Sequence, residues 1–189
     1  MSNTDRTWSG RVFIATSVDG FISDLDGNLE WLTDPPAEPR HVSAHEGDDA
    51  PPDWDGFTAN VSHLVMGRGT YEKVMTFGFW PYDKFRVIVI STQLRPGDDE
   101  RVIVVDSVER ACDLLAEENA STAYLDGGQV ITEFLKRGLI DELTISRAPV
   151  ILGSGLPLFH SLPAQTRLIH LGTSTTDSGM TNTRYRVAN

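Results

Sequence analysis

Apolar positions along the chain follow two alternating patterns. Short runs rich in β-branched residues predict strands at residues 11–18, 64–66, 86–91, 102–105, 122–125 and 142–146. Between them, apolar residues recur every three or four positions, which predicts helices after residues 53, 69, 107 and 129. Two last runs, residues 167–175 and 180–187, predict an antiparallel pair. The alternation therefore predicts an α/β fold with a parallel-type sheet.

A strand that ends in glycines and turns into a helix is the first candidate binding site. The sequence Gly67-Arg68-Gly69-Thr70 follows the apolar run at residues 64–66, and Thr70 is expected to begin a helix. Unpaired backbone N–H groups at a helix start attract an anion, typically a phosphate, and Arg68 adds a positive charge. The alternative is an ordinary corner with a surface arginine. The expected inward residues of this helix are Tyr71, Val74 and Met75.

A second corner of the same kind follows residues 122–125. Asp126-Gly127-Gly128-Gln129 leads into a helix whose inward face begins at Val130 and which is expected to stop at Gly138. Two such corners in one parallel sheet would present their N–H groups at the same sheet edge, where open α/β sheets bind ligands.

The region between the first strand and the first corner is polar. Asp53 is a natural N-cap for a helix with Trp54, Phe57 and Val61 inward. His41 and His45 have a spacing that can bind zinc, but no third spaced ligand accompanies them, so we expect no metal site.

Composition narrows the class of protein. The 189 residues are 40% hydrophobic, which suits one domain spanning residues 1–189. A net charge of −11 argues against nucleic acid or an anionic membrane as a partner. The single cysteine, Cys112, lies on the apolar face of a predicted helix and is expected in the core, which fits a reducing cytoplasm. We find no apolar export signal and no membrane-length apolar run.

Five stretches, in this order, carry a family resemblance: residues 15–22 (ATSVDGFI), 66–72 (MGRGTYE), 87–92, 126–128 (DGG) and 148–159 (APVILGSGLPLF). With them the chain resembles the dihydrofolate reductase-like family, and within it the reductase domain of the riboflavin-biosynthesis deaminase-reductase and its stand-alone relatives. The last stretch is long and specific to the riboflavin-type branch. The resemblance implies a dihydrofolate reductase-like three-layer fold: a twisted, mostly parallel sheet, flanking helices and a C-terminal antiparallel hairpin.

The resemblance also implies NADPH as cofactor and hydride transfer to a small heterocyclic substrate. Ala15 and Ile22 would border the nicotinamide, and Ser91 and Thr92 would lie near the adenine ribose. The diphosphate would be held by the two corners, with Arg68 beside it; the residues are Gly67, Arg68, Gly69, Thr70, Gly127, Gly128, Gln129 and Val130.

The chain departs from its relatives in three places. Relatives often carry an arginine where Thr92 stands; either Arg95 reaches back in its place, or the preference for NADPH over NADH is weak. Asp126 stands where some relatives have another glycine. Asp53 falls near the acid that binds the pterin in dihydrofolate reductases, which makes it the candidate for a catalytic or substrate-binding role, with the N-cap as its alternative.

Three functions remain open on the sequence. The first is an NADPH-dependent reductase of the riboflavin-pathway type with an unidentified substrate; a pyrimidine ribosyl phosphate is poorly matched by the acidic region, where only Arg40 is basic. The others are a dihydrofolate reductase and a non-catalytic nucleotide-binding protein. The apolar segment 149–159 lacks charges, so we expect it to be buried, at a homodimer interface.

Overall fold

A nine-stranded sheet forms the centre of the structure, a computed structural model that describes residues 6–33, 45–46 and 51–188. Its strands in chain order are β1 (Ser9–Thr16), β3 (His45–Glu46), β4 (His63–Gly67), β5 (Arg86–Ile90), β6 (Val102–Val105), β7 (Thr122–Asp126), β8 (Glu142–Arg147), β10 (Leu168–Thr175) and β11 (Thr181–Val187). A short antiparallel pair, β2 (Phe21–Ser23) and β9 (Leu156–Pro157), lies apart from it. The candidate zinc ligand His41 lies outside the described residues.

The sheet is mostly parallel, as predicted. Its order is β3-β10-β11-β8-β1-β7-β4-β5-β6, and the six strands from β8 to β6 pair in parallel. The predicted C-terminal antiparallel hairpin is β10–β11, and β11 also pairs antiparallel with β8. The carboxyl ends of the parallel strands therefore meet at one edge of the sheet.

Helices cover both faces of the parallel strands. They are α1 (Glu30–Thr33), α2 (Trp54–Thr58), α3 (Arg68–Met75), α4 (Val108–Glu117) and α5 (Gly128–Lys136). Ser107 is the N-cap of α4, and its hydroxyl accepts a hydrogen bond from the Arg110 N–H. None of the helices in the described part of the chain is both long and apolar enough to cross a bilayer.

Each face of the sheet has its own apolar core, because successive residues of a strand point to opposite faces. On one face, Leu125 packs with Ile131 and Phe134 of α5, and Cys112 of α4 lies against this core as predicted. On the other face, Tyr124 packs with Phe57 of α2. Alternate residues of β7 therefore pack into opposite cores.

Two sequence expectations about helix α3, its start and the direction of Met75, are wrong. Helix α3 begins at Arg68 rather than Thr70, and Met75, expected to face inward, is 46% exposed because it is the last helical residue before a loop. In the segment 149–159, Leu158 is buried, but Ile151 is 72% exposed and Phe159 is 39% exposed. This segment runs along the outside of the molecule, where the Leu152 and Gly153 N–H groups donate to the Asp19 carboxylate.

Candidate functional site

Two strand–helix corners lie side by side at the carboxyl edge of the sheet. Strand β4 turns into α3 at Gly67, and the neighbouring strand β7 turns into α5 at Gly127. Gly127 has a φ of 88°, a left-handed conformation that favours glycine, and a Cβ there would clash with the Thr70 Oγ1 of the other corner. The corners are therefore in direct contact, and only glycine fits where they meet.

The corners open into a cleft of about 540 Å³. We call this space the cleft. It extends across the sheet edge from Ile22, Leu156 and Pro157 at the β1–β2 side to the ends of β5 and β6 on the other. The other lining residues are Gly67, Arg68, Gly69, Thr70, Ile90, Ser91, Thr92, Gln93, Asp106, Val108, Gly127, Gly128, Gln129, Val130, Glu133 and His160.

The cleft brings together most of the residues selected from the sequence. All the predicted cofactor residues except Ala15 line it. Ala15 lies within β1, where it pairs with Ser146 of β8, and is not among the lining residues. Asp53 is not a lining residue either; it is exposed at the start of α2, where its Oδ1 accepts a hydrogen bond of 2.8 Å from the Gly56 N–H.

The centre of the cleft has the features of an anion site. The first-turn N–H groups of α3 and α5 have no partner within their own helices, and the residues that carry them line the cleft. Arg68 is 41% exposed at its side chain and forms an ion pair of 2.7 Å with Glu72, one turn further along α3. Backbone N–H groups, two helix ends and a partly neutralised arginine fit the diphosphate of a dinucleotide.

The glycines at the two corners also fit the diphosphate of a dinucleotide. A Cβ on Gly69 would meet no atom within 4 Å, so the backbone there faces open space that a ligand can approach. A Cβ on Gly128 would instead clash with the Pro157 carbonyl oxygen, so this glycine lets α5 approach the β9 segment closely. The cleft is thus narrow beside one corner and open beside the other.

The β5–β6 end of the cleft is polar and contains an acid. The Ser91 N–H donates to the Val105 carbonyl at 2.8 Å, which places Ser91 and Thr92 next to Asp106. The Ser91 hydroxyl accepts hydrogen bonds from the N–H groups of Gln93 and Leu94 and so shapes the turn after β5.

A carboxyl that the sequence did not single out as functional lies beside the second corner. Asp126 precedes Gly127, and its Oδ1 accepts a hydrogen bond of 3.0 Å from the Gly127 N–H. Burial raises the pKa of the Asp126 carboxyl to about 6, although the hydrogen bond from the Gly127 N–H opposes the rise. An acid with this pKa, at the end of a buried strand and next to a glycine corner, can hold or release a proton near neutral pH.

Asp126 and Asp53 lie on the same side of the sheet. By strand alternation, Asp126 shares the face of Tyr124, whose ring contacts that of Trp54 at 5.8 Å between centroids. Trp54 directly follows Asp53 at the start of α2. This face is opposite to α5, so both carboxyls lie across the sheet edge from that helix.

Comparison with known proteins finds a family profile and several relatives that match most of the chain. The sequence profile of the RibD C-terminal domain matches residues 9–182. The chain is 36% identical over 166 residues to the uncharacterised protein YwjB of Bacillus subtilis, covering 86% of this chain and 88% of that protein. It is 34% identical to a putative riboflavin biosynthesis protein of Shewanella sp. PV-4, with a TM-score of 0.79, covering 96% of this chain and 99% of the other.

A more distant likeness concerns the fold alone. The dihydrofolate reductase of Enterococcus faecalis, solved with NADP(H), superposes with a TM-score of 0.63 at 18% identity, covering 97% of this chain and 98% of that enzyme. The predicted dihydrofolate reductase-like fold is therefore confirmed. With a family match across nearly all of the described residues, the chain belongs to the family of the RibD C-terminal domain.

Proposed function

We propose that this chain is a reductase that transfers a hydride from NADPH to a small heterocyclic substrate. The observation that carries the proposal is the cleft, in which two glycine corners from neighbouring strands meet and all the predicted cofactor residues except Ala15 line one space. Membership of a reductase-like family supports the same reaction class. The physiological substrate is left open within the class of small heterocycles.

The proposed cofactor orientation follows from the order of strands. The corners in the middle of the cleft would hold the diphosphate, and Ser91 and Thr92 would lie near the adenine ribose. The nicotinamide would then lie at the opposite end, beside Ile22 and the β9 segment, with Ala15 behind it in β1. When bound, the reduced nicotinamide supplies the hydride, and apolar groups such as Ile22 exclude water from it.

Reduction of a ring C=N or C=C bond also requires a proton, for which the chain offers two carboxyls. Asp126 is half-buried, with its pKa raised to about 6 by burial, so about half of it is protonated at pH 6 and about a tenth at pH 7. Asp53, the candidate from the resemblance, is exposed and already accepts a hydrogen bond as an N-cap. Neither carboxyl is a lining residue of the cleft, but Asp126 directly precedes the Gly127 corner that lines it. We therefore propose Asp126 as the group that holds the proton toward the substrate, and keep Asp53 as the alternative.

Titration with NADPH and NADH tests the cofactor assignment. Either nucleotide should quench tryptophan fluorescence, and oxidation should follow when a suitable heterocycle is added. Absence of quenching with both nucleotides would overturn the reductase proposal. Oxidation with dihydrofolate would make the chain a dihydrofolate reductase. Binding with no oxidation across dihydrofolate and the pyrimidine intermediate of riboflavin synthesis would favour the non-catalytic nucleotide-binding alternative.

Comparison of Asp126→Asn with Asp53→Asn tests the proton donor. With a substrate in hand, Asp126→Asn should lower kcat by about 100-fold and remove the fall in rate as pH rises above about 6, because general acid catalysis contributes on that order and needs the protonated carboxyl. Nucleotide affinity should change little. If Asp53→Asn has the larger effect and Asp126→Asn a small one, the two roles are the reverse of those proposed.

A further inference from the structure

The β5–β6 end of the cleft has the wrong charge for a 2′-phosphate. Its charged lining residue is Asp106, at the end of β6, and the neighbouring lining residues Ser91, Thr92 and Gln93 are neutral. Among the lining residues of the part of the chain that the structure describes, Arg68 is the sole lysine or arginine, and it belongs to the central corner. A group placed at this end therefore meets a carboxylate and hydroxyls.

The Asp106 side chain is held in place but retains accepting capacity. The Ser107 hydroxyl donates to Asp106 Oδ1 at 2.9 Å, and Ser107 is itself the N-cap of α4. The second oxygen, Oδ2, has no hydrogen-bond partner among the described residues. A carboxylate with a free oxygen accepts a hydrogen bond from a ribose hydroxyl and repels a phosphate.

Nearby cations are held by other carboxylates. Arg110 of α4 forms an ion pair of 2.8 Å with Glu117, and the lining residue Glu133 pairs with both Lys136 and Arg137. Arg95 is exposed in the loop after β5 and does not line the cleft. Neutralising a 2′-phosphate would therefore require one of these ion pairs to break, or the Arg95 side chain to move.

We propose that Asp106 is a specificity-determining residue that removes the preference for NADPH, so that the chain binds NADH at least as tightly. The 2′-hydroxyl of NADH donates to the carboxylate, whereas the 2′-phosphate of NADPH brings about two negative charges against it. This inference rests on the proposed function, because it needs a nicotinamide dinucleotide in the cleft. It differs from the expectation of NADPH that the resemblance alone gives.

Calorimetric measurement of Kd for both reduced nucleotides tests the inference without a substrate. The wild-type chain should bind NADH as tightly as NADPH or more tightly. Asp106→Asn keeps an oxygen for Ser107 and removes the charge, so the ratio of affinities should shift toward NADPH by about tenfold. The matched control is Asp113→Asn, an exposed acid of α4 outside the cleft, which removes the same net charge and should shift the ratio by less than about twofold.

The outcomes separate this inference from the proposed function. If neither nucleotide binds, the proposed function fails. If both bind but the wild-type chain prefers NADPH by about tenfold or more, or Asp106→Asn shifts the ratio no more than Asp113→Asn, the Asp106 inference fails while the function stands. A variant Arg95→Ala that weakens NADPH binding selectively would identify Arg95 as a 2′-phosphate ligand and would also overturn the inference.

Discussion

Asp126 couples the candidate site to stability, because its pKa is about 6 in the folded chain and near the ordinary value of 3.8 when unfolded. Between these values the folded state binds more protons than the unfolded state, so the free energy of unfolding falls as pH rises through the window. The shift corresponds to a cost of about 3 kcal/mol at most, fully present above pH 6 and absent below about pH 4.

Substituting Asp126→Asn should remove this pH dependence. Asparagine keeps an oxygen for the Gly127 N–H and carries no charge, so the variant should be more stable than the wild-type chain at pH 7, by up to about 3 kcal/mol. Urea unfolding at several pH values between 4 and 8 measures the difference. A variant as stable as the wild-type chain at every pH would mean that the carboxyl is well solvated.

The positive charge of Arg68 serves both the proposed anion site at the β4–α3 corner and the ion pair with Glu72. Arg68→Ala should weaken nucleotide binding by about 1 kcal/mol, toward the low end for a charge-assisted hydrogen bond, because the side chain is partly exposed and already paired. Glu72→Gln is the matched variant: it releases the guanidinium and should tighten binding by a few tenths of a kcal/mol to about 1 kcal/mol. Both changes are measured as Kd by calorimetry. Equal weakening in the two variants would mean that the ion pair, rather than the positive charge, matters.

Residue roles that depend on sequence neighbours could be predicted, and those that depend on distant contacts could not. The N-cap Asp53 was recognisable because capping is decided within three residues. The burial of Asp126 results from its contact with Tyr124 and from the packing around both, and the location of Asp106 in the cleft results from the pairing of β5 with β6. No local pattern carries that information.

Among the strand–helix connections, the β7–α5 corner has the strictest backbone requirement. Gly127→Ala should destabilise the fold by about 1–3 kcal/mol, because alanine is strained at a φ of 88° and its Cβ would clash with Thr70. Nucleotide binding should weaken as well, since the clash separates the two corners.

Gly69→Ala is the contrasting variant, measured by the same thermal or urea unfolding. Gly69 lies in α3, and a Cβ there meets no atom within 4 Å, so alanine should raise stability by up to about 1 kcal/mol. If both glycine variants change stability in the same direction, the difference in backbone geometry between the corners does not control stability.

The periodicity predicted most elements but not their boundaries or their order in the sheet. The strands at β5 and β7 were predicted because buried strands are largely apolar runs, and the partly buried edge strand β6 because it is rich in β-branched residues. The start of α3 was placed two residues late, since Gly69 disfavours a helix in sequence. Met75 is exposed because it is the last residue of this helix. The position of β7 between β1 and β4 depends on crossover connections that no single segment encodes.

For the molecule as a whole, the final prediction concerns the association of two copies of the chain. The uncharged segment 149–159 exposes Ile151, Leu156 and Phe159 along the outside of the chain, and several exposed apolar side chains in one segment are typical of protein–protein contacts. We propose a homodimer in which a second copy covers this segment. Because Leu156 also lines the cleft, the partner would lie beside the end proposed for the nicotinamide and would help to exclude water there.

Light scattering at micromolar protein concentration measures the mass directly. The wild-type chain should have twice the mass of one chain, and Ile151→Glu should give a monomer, because a charge on a residue that is 72% exposed is tolerated in the single chain but not in an apolar contact. The control is Phe79→Glu, at an exposed aromatic residue outside the segment, which should leave the dimer intact. A monomeric wild-type chain would remove the dimer proposal, and dissociation by Phe79→Glu alone would place the contact at the loop after α3.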